Sequence, residues 1–289
     1  MLLFMLLVTA SSLPQQTSYA CPSCAEWNAP QKPFRIYGNT YYVGPHGLSS
    51  ILITSSAGHV LIDGGLPQSA SLIAANIRWL GFRVEDVKLI VNSHVHFDHA
   101  GGIAELQRLT GARVVASNWS ADVMIRTGLG GDDPQYGVIP PIPLVAHVQT
   151  LSDGQTFRVG DIAITAHLTP GHTPGGTSWT WQSCEGARCL NMVFADSLSP
   201  ASADRFKFTK SREYPNAIQD FHTSYAFLRN TPCDILVTTH PDASDFWGRV
   251  EKRAKRVKPD PMVDAAGCRR LADSAEASLK KRIAEESAN

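Results

Sequence analysis

Metal-capable side chains are concentrated in one short stretch of the sequence, VNSHVHFDHAGG at residues 91–102. His94, His96, Asp98 and His99 fall within six positions, and they offer the nitrogen and oxygen donors that zinc takes in proteins. In an extended segment, residues two apart point to the same side, so His94 and His96 could share one metal ion. The spacing differs from HExxH, in which a helix brings two ligands together. The stretch therefore predicts part of a metal site.

Two more histidines follow predicted strands in the same way. His172, in TPGHTPGG, comes after the run DIAITAHL, and His240 comes after the run DILVTT. The first stretch follows the run VKLIVNS, so the carboxyl ends of three strands offer five histidines and one aspartate. The sheets of α/β proteins tend to hold their sites at these ends. Six nitrogen and oxygen ligands suit two zinc ions with open positions for water.

The other histidines are interpreted as structural, because a lone histidine is more often a satisfied core or surface residue than a ligand. These residues are His46, His59, His147, His167 and His222. The six clustered side chains differ from them, since burying such a cluster without a metal would leave polar rings in need of partners.

The elements that must position these ligands are strands alternating with helices. Short β-rich runs come first, FRIYGNTYYVG, LSSILITSS and HVLIDGG, with turn residues between them. The alternation in both halves predicts an α/β (α+β) protein in which two sheets are covered by helices. Helical spacing or composition predicts helices over 68–81, 100–111, 213–229, 245–255 and 263–286.

One long segment has no predicted helix or strand. Residues 128–146, GLGGDDPQYGVIPPIPLVA, are rich in glycine and proline, and such loops are often functional. A flap over a substrate and a passive loop are both open interpretations.

The length and composition fit a single globular domain, and the balanced charge does not indicate a polyanionic partner. The 289 residues are 43% hydrophobic, and 26 basic residues balance 26 acidic ones. No block of like charge indicates binding to nucleic acid or to an anionic membrane surface, so a small or neutral partner is expected. We expect one domain over residues 21–289.

The first twenty residues are interpreted as a cleaved secretory signal peptide. They contain no charged side chain, and their apolar run, residues 2–8, is too short to span a membrane. Ser18 and Ala20 are small residues at the outer positions of a plausible cleavage site. Export to the periplasm is therefore expected, with a lipid anchor on Cys21 as the alternative.

Six cysteines fit an oxidising compartment, although the sequence alone allows many pairings. Cys184 and Cys189 flank EGAR, which indicates a hairpin tip and a local bridge. Cys233 precedes a strand and Cys268 opens the last helix, so pairing them would tie that helix to the sheet. The CxxC at 21–24 is interpreted as an unstructured N-terminus, because no second ligand pair has zinc-knuckle spacing.

The pattern HxHxDH, followed by Gly-His-Thr-Pro-Gly and a late histidine, resembles the metallo-β-lactamase superfamily. The resemblance covers essentially the whole chain after residue 20. It implies an αββα sandwich of two mixed β-sheets flanked by helices, and a metal-dependent hydrolase.

The segment VFADSLS separates the branches of this superfamily. TPGHTPGG is similar to the glyoxalase II and lactonase branches, which bridge both metals with an aspartate in a segment like Phe-x-Gly-Asp. When VFADSLS is aligned with that segment on Phe194, Ser197 takes the place of the bridging aspartate. Asp196 lies one residue earlier, and in a strand a shift of one residue points the side chain to the opposite face. ADSLS, GNTYYVG, HVLIDGG, HTPGGTSWTW and the two late cysteines are instead similar to subclass B3 metallo-β-lactamases. Subclass B1 has a cysteine in place of Ser197 and lacks the histidine found here as His99.

The B3 resemblance implies two zinc ions per chain, each held by three side chains. The first would be held by His94, His96 and His172, and the second by Asp98, His99 and His240.

The resemblance also implies roles around the metals. Asp98 would orient the nucleophile as well as bind zinc, and Asp63 would orient the ligands from behind, with a turn-capping role as its alternative. Ser197 and Ser199 would contact water and the substrate carboxylate, with ordinary strand-end serines as the alternative.

The implied reaction is hydrolysis of the β-lactam amide bond by metal-bound hydroxide, conferring resistance to penicillins, cephalosporins and carbapenems. The implied partner is a small-molecule β-lactam, and the implied state is a monomer. One alternative is an exported hydrolase of the same fold acting on thioesters or lactones. Another is a metal-binding protein that has lost catalysis, although no ligand is missing.

Overall fold

Short hydrophobic strands in the first half of the chain form one mixed sheet. In the computed structural model, which describes residues 21–126 and 128–288, this sheet has seven strands. Pairing is antiparallel from the first strand to the fourth and parallel from the fourth to the seventh. The strands, in spatial order, are β1 (Phe34–Tyr37), β2 (Thr40–Tyr42), β3 (Ile51–Ser55), β4 (Gly58–Ile62), β5 (Val87–Val91), β6 (Arg113–Ser117) and β7 (Val148–Leu151).

The second half of the chain forms a five-stranded mixed sheet. Its strands are β8 (Thr156–Val159), β9 (Ile162–Leu168), β10 (Thr177–Glu185), β11 (Arg188–Ala195) and β12 (Ile235–Thr238). The spatial order runs from β12 through β11, β10 and β9 to β8. Only the β11–β12 pair is parallel, since a helix over Ala217–Asn230 crosses over between these two strands.

Helices cover the outer faces of both sheets. They are α1 (Cys24–Trp27), α2 (Ser69–Trp79), α3 (Phe97–Ala100), α4 (Ile103–Thr110), α5 (Asn118–Arg126), α6 (Ala217–Asn230), α7 (Phe246–Ala254) and α8 (Gly267–Ala288). The last helix begins at Gly267 rather than at 263 as predicted. No helix among the described residues combines the length and apolar character needed to cross a bilayer.

Three layers of buried side chains hold the four layers of backbone together. Along β3, Ile51 and Ile53 face the second sheet and Leu52 faces the helices, as the two-residue period of a strand requires. Between the sheets the core includes Trp179, and outside the second sheet Phe221 of α6 is fully buried. Each such side chain contributes about 1.5–3 kcal/mol through burial. The predicted αββα sandwich is confirmed.

Two indoles on β10 bind the sheets to each other. Trp179 Nε1 donates to the Asn92 carbonyl at 3.0 Å, and Trp181 Nε1 donates to Thr40 Oγ1 at 3.0 Å. The first of these bonds reaches the residue that follows β5. It therefore fixes the second sheet against the start of the histidine-rich stretch.

All six cysteines are paired. Cys184–Cys189 spans the β10–β11 hairpin, and Cys233–Cys268 joins a residue two positions before β12 to the first turn of α8. Cys21 and Cys24 form a third disulfide, so the interpretation of this CxxC as an unstructured N-terminus is wrong. Cys24 is only 4% exposed because it packs into the core beneath the first helical layer. The predicted signal peptide, residues 1–20, lies outside the described residues.

Candidate metal centre

The first three predicted ligands meet at one edge of the sandwich. His94 and His96 follow β5 of the first sheet, and His172 follows β9 of the second sheet. One ligand atom from each ring lies within 4.8 Å of the others, and all three side chains are buried. The fold thus brings together side chains that are far apart in the sequence.

Neighbouring acceptors orient two of these rings. His94 Nδ1 lies 2.7 Å from Asp196 Oδ1, and His172 Nδ1 donates to the Ser199 carbonyl at 2.8 Å. Asp196 can approach because Gly176 has no Cβ, which would lie 2.4 Å from Asp196 Oδ2. Nε2 of each ring is left to face the other ligands, and His94 Nε2 is buried without a hydrogen-bond partner. Such a nitrogen is costly to bury, and a zinc ion would satisfy it.

The Gly/Pro-rich loop orients the third ring. Asp133 is buried, and its Oδ2 lies 3.1 Å from His96 Nε2, so Nδ1 of His96 points to the centre of the triad. The amide nitrogen of Gln135 reaches the same centre, 3.3 Å from His96 Nδ1 and 3.4 Å from His172 Nε2. The loop 128–146 therefore borders the site and supplies two polar groups to it.

Asp98, His99 and His240 form a second group beside the first. Asp98 and His99 lie in α3, and His240 follows β12. Asp98 Oδ2 lies 3.3 Å from Nε2 of each histidine, and the two Nε2 atoms are 3.2 Å apart. Ligands placed tetrahedrally at about 2.1 Å from zinc lie about 3.4 Å from one another. The spacing of this donor set therefore fits a zinc ion.

The protonation states of these groups also suit a metal. Burial lowers the pKa of His94 well below its ordinary value, and the positive charge that neighbouring histidines can carry lowers it further. Burial likewise lowers the pKa of His172 to about 3. Burial alone would raise the pKa of Asp98, but His99 and His240 hold it well below the ordinary value. Neutral imidazole and ionised carboxylate are the forms that bind metals.

Asp63 lies behind the second group, in the turn after β4. It adopts a left-handed backbone conformation, with φ of 59°, and its carboxylate accepts hydrogen bonds from Ser93 N at 2.7 Å, Ser93 Oγ at 2.6 Å and Asn92 Nδ2 at 3.1 Å. Its Oδ2 is also 4.0 Å from His99 Nδ1. Burial raises the pKa of Asp63 to about 7. The side chain thus braces the loop after β5 and stands behind one ligand.

A cavity of about 380 Å³ opens over both groups. Ser197 and Ser199 line it, with Ser197 Oγ 2.8 Å from Thr239 Oγ1 and Ser199 Oγ 3.4 Å from His172 Nδ1. Apart from the candidate ligands and these serines, the wall comes from residues 21–23, 27, 97, 135, 138–140 and 201. The structure therefore places both predicted serines at the cavity, beside the ligands.

Sequence reasoning missed the partners that orient the rings. Asp133 and Gln135 received no role, and Asp196 was considered only as a bridging ligand that lies one step early. Asp196 instead contacts His94 from the side away from the free ring nitrogen. A signal was available, because an aspartate at the end of the apolar run VFAD needs a buried partner. The five other histidines lie outside both groups of described metal-capable side chains.

The four-layer sandwich with paired triads at one edge is the architecture of a metal-dependent hydrolase. A sequence model of the metallo-beta-lactamase superfamily matches residues 43–187. The chain belongs to the metallo-β-lactamase superfamily, as its motifs predicted.

Solved structures match nearly the whole chain. The Rm3 metallo-beta-lactamase is 54% identical, with a TM-score of 0.91, over 93% of this chain and 100% of that one. MEM-A1, a subclass B3 metallo-beta-lactamase from a soil metagenome library, is 49% identical, with a TM-score of 0.87, over 91% of this chain and 99% of that one. The predicted similarity to subclass B3 is confirmed.

Curated relatives match less of the chain. The hydroxyacylglutathione hydrolase of Anaeromyxobacter dehalogenans is 28% identical over 152 residues, which are 51% of this chain and 45% of that protein. The chain thus spans about half the length of this relative.

Proposed function

We propose that this chain is a zinc-dependent β-lactamase that hydrolyses the amide bond of penicillins, cephalosporins and carbapenems. The observation that carries the proposal is the segment after β11. There Asp196 is engaged with His94, and Ser197 stands where thioester and lactone hydrolases of this superfamily carry a bridging aspartate. The similarity to subclass B3 enzymes over nearly the full chain supports the same substrate class.

Two zinc ions would be held by the two groups of ligands. His94, His96 and His172 would bind the first, and the second would be bound by Asp98, His99 and His240. Bound zinc lowers the pKa of water to about 7 and polarises a carbonyl oxygen.

The chain's own side chains would position the reactants. The pKa of Asp98 is held well below its ordinary value, and the side chain lines the cavity over both groups, where its carboxylate can accept a hydrogen bond from the attacking water. Ser197, Ser199 and Gln135 place hydroxyl and amide groups at the cavity, where they can hold the carboxylate that β-lactams carry. Asp63 would keep His99 in the orientation that binds metal.

Thioester or lactone hydrolysis is the second candidate, favoured by the partial match to a hydroxyacylglutathione hydrolase. Both candidates use the same metal ligands. They differ in the groups that meet the substrate, so a comparison of substrates separates them.

The test is turnover of a penicillin, a carbapenem, a thioester and a lactone by the purified chain, with zinc and then with a chelator. We expect chelator-sensitive hydrolysis of the β-lactams and none of the other two. Asp98→Asn should lower that turnover by about 10²–10⁴-fold, whereas Asp161→Asn, in an exposed turn, should leave it unchanged. Hydrolysis of the thioester or lactone with intact β-lactams would assign the chain to the other branch.

We further propose that the chain acts in the periplasm as a monomer, with residues 21–289 as its mature domain. The three disulfides support an oxidising compartment. Fractionation of cells that express the full chain should find it in the periplasm, without the first twenty residues. A cytoplasmic protein with reduced cysteines would contradict this.

A further inference from the structure

The segment at the start of the described chain is fixed in place rather than loosely attached. Cys21 and Cys24 are joined, and Trp27 N donates to the Ser23 carbonyl at 2.8 Å, which closes the single turn of α1. Cys24 is buried among the side chains of the first helical layer. A disulfide in so short a segment restricts its unfolded conformations.

The loop between β2 and β3 secures the other end of this segment. Gly47 N donates to the Trp27 carbonyl at 3.1 Å, and His46 N donates to the Ala29 carbonyl at 2.8 Å. The backbones approach so closely that a Cβ on Gly47 would lie 2.6 Å from Trp27 Cα. The backbone of Trp27 is therefore held at its N–H by Ser23 and at its carbonyl by Gly47.

The indole of Trp27 reaches the second group of metal ligands. Its ring centroid lies 5.2 Å from that of His240 and 6.4 Å from that of Phe97, which precedes Asp98. Centroid separations of 4.5–7 Å are those of interacting aromatic pairs. Trp27 also lines the cavity over the metal ligands.

His240 differs from the other ligand histidines in how its ring is held. The rings of His94, His96 and His172 are each bonded through the nitrogen that faces away from the triad. The ring of His99 is buried, and its Nδ1 has no hydrogen-bond partner among the described residues but lies 4.0 Å from the carboxylate of Asp63. No hydrogen-bond acceptor for Nδ1 of His240 is found among the described residues, and its side chain is 30% exposed. Asp98 and His99 contact this ring from the metal side, through Nε2. Packing against Trp27 is the contact outside the ligand group that restricts the ring.

We propose that Trp27, braced by the Cys21–Cys24 disulfide, is a positioning residue for His240 and so sets the affinity of the second metal site. This inference rests on the proposed two-zinc site but not on the identity of the substrate. A ring that is free to rotate loses conformational entropy when the metal binds, and this loss lowers the affinity. Packing against Trp27 already holds the ring of His240, so less entropy is lost on binding.

The test measures zinc affinity at each of the two sites by competition with a chromogenic chelator. Trp27→Leu and the double variant Cys21→Ser/Cys24→Ser should each weaken zinc binding at the site that contains His240 about tenfold, within the range seen when the partners of metal ligands are removed. Zinc binding at the site that contains His94, His96 and His172 should change less than about twofold. Trp27→Phe keeps an aromatic ring and should restore most of the affinity.

Matched controls separate positioning from a general loss of structure. Trp79 is 60% exposed on α2, so Trp79→Leu should leave both affinities unchanged. Cys184→Ser/Cys189→Ser removes another local disulfide, at the β10–β11 hairpin, and should also leave both zinc affinities unchanged. Substitution with cobalt adds a second readout, because the absorption spectrum of bound cobalt reports the coordination geometry at the sites it occupies. Trp27→Leu should change that spectrum, whereas Trp79→Leu should not.

Each outcome is decisive. Unchanged zinc affinity at the site that contains His240 in Trp27→Leu, or an equal loss at both sites, would overturn the inference and leave the proposed function intact. A wild-type chain that binds fewer than two zinc ions would overturn the proposed two-zinc site and this inference together.

Discussion

At the scale of single residues, two of the candidate metal ligands have acidic partners on the side of the ring that faces away from the candidate metal site. Asp196 lies against His94 and Asp133 against His96, and both carboxylates are buried. Each selects the ring nitrogen that points into the site. Partners of this kind raise ligand basicity and fix ring orientation, so their loss lowers the affinity for the metal.

Asp196→Asn should reduce the affinity for the first zinc ion by about 10–100-fold, because the neutral amide no longer complements the charge that His94 gains on binding metal. Competition with a chromogenic chelator measures this affinity. Asp161→Asn, which is exposed, serves as the control. Equal affinity in the Asp196 variant and the wild type would show that the pair has only a structural role.

At the scale of elements, α8 is attached at both of its ends to segments that flank strands of the second sheet. Cys268 in its first turn is bridged to Cys233, 35 residues earlier. Near its C-terminus Glu286 is 2% exposed and accepts hydrogen bonds from Phe208 N at 3.1 Å and Thr209 N at 2.9 Å. The helix is thus fastened by one covalent bond and one buried carboxylate.

Removing the Cys233–Cys268 bridge should destabilise the chain more than removing Cys184–Cys189, because the closed loop is longer. The chain-entropy relation gives about 4 kcal/mol for the first and about 2 kcal/mol for the second. Urea unfolding of the two serine double variants measures the difference. A larger loss for the hairpin bridge would contradict the loop-length argument.

Glu286 should make stability depend on pH. Burial raises its pKa, but hydrogen bonds from Arg282, Thr209 and Phe208 lower it more, to below the ordinary 4.5. A depressed pKa in the folded state stabilises the chain above the unfolded value, and this contribution is lost as pH falls through the folded value. The free energy of unfolding should therefore fall more steeply below about pH 4.5 in the wild type than in Glu286→Gln.

The control for this prediction is Glu285→Gln, one residue earlier, where the side chain is 57% exposed. Its pH dependence should match that of the wild type. At about pH 7 Glu286→Gln should itself be about 1–3 kcal/mol less stable, because it loses charge-assisted hydrogen bonds. Parallel pH profiles for the wild type and Glu286→Gln would show that another group dominates acid unfolding.

At the scale of the whole molecule, the candidate metal centre joins the two sheets. His94, His96, Asp98 and His99 follow a strand of the first sheet, whereas His172 and His240 follow strands of the second. Each group of three ligands therefore contains members from both sheets. A metal bound there can be retained only while the sheets are face to face.

Chelation should consequently lower the thermal unfolding midpoint. Zinc at about 100 times its dissociation constant stabilises the native state by about 2.7 kcal/mol per site. Differential scanning fluorimetry with and without chelator measures the shift, which His172→Ala should reduce and His222→Ala, outside both groups, should leave unchanged. A wild-type midpoint that chelator does not move would contradict metal bridging of the sheets.

The sequence by itself determined the order of the main strands and helices and the identity of the candidate ligands. The apolar runs of β3 and β5 are local properties, so they can be read without knowing the fold. The HxHxDH spacing is equally local. Short, half-exposed elements such as β7 and β8, and the helix α5 that follows β6 directly, carry weaker signals and were missed.

Only the tertiary structure decided which residues surround the ligands. His94 meets Asp196 across 102 residues of sequence, and His96 meets Asp133 across 37. Trp27 reaches His240 only because the first segment is folded back onto the edge of the sandwich. Contacts of this kind arise from how the sheets and loops pack, and no local pattern of residue types records them, because each partner looks like an ordinary polar or aromatic residue in its own segment.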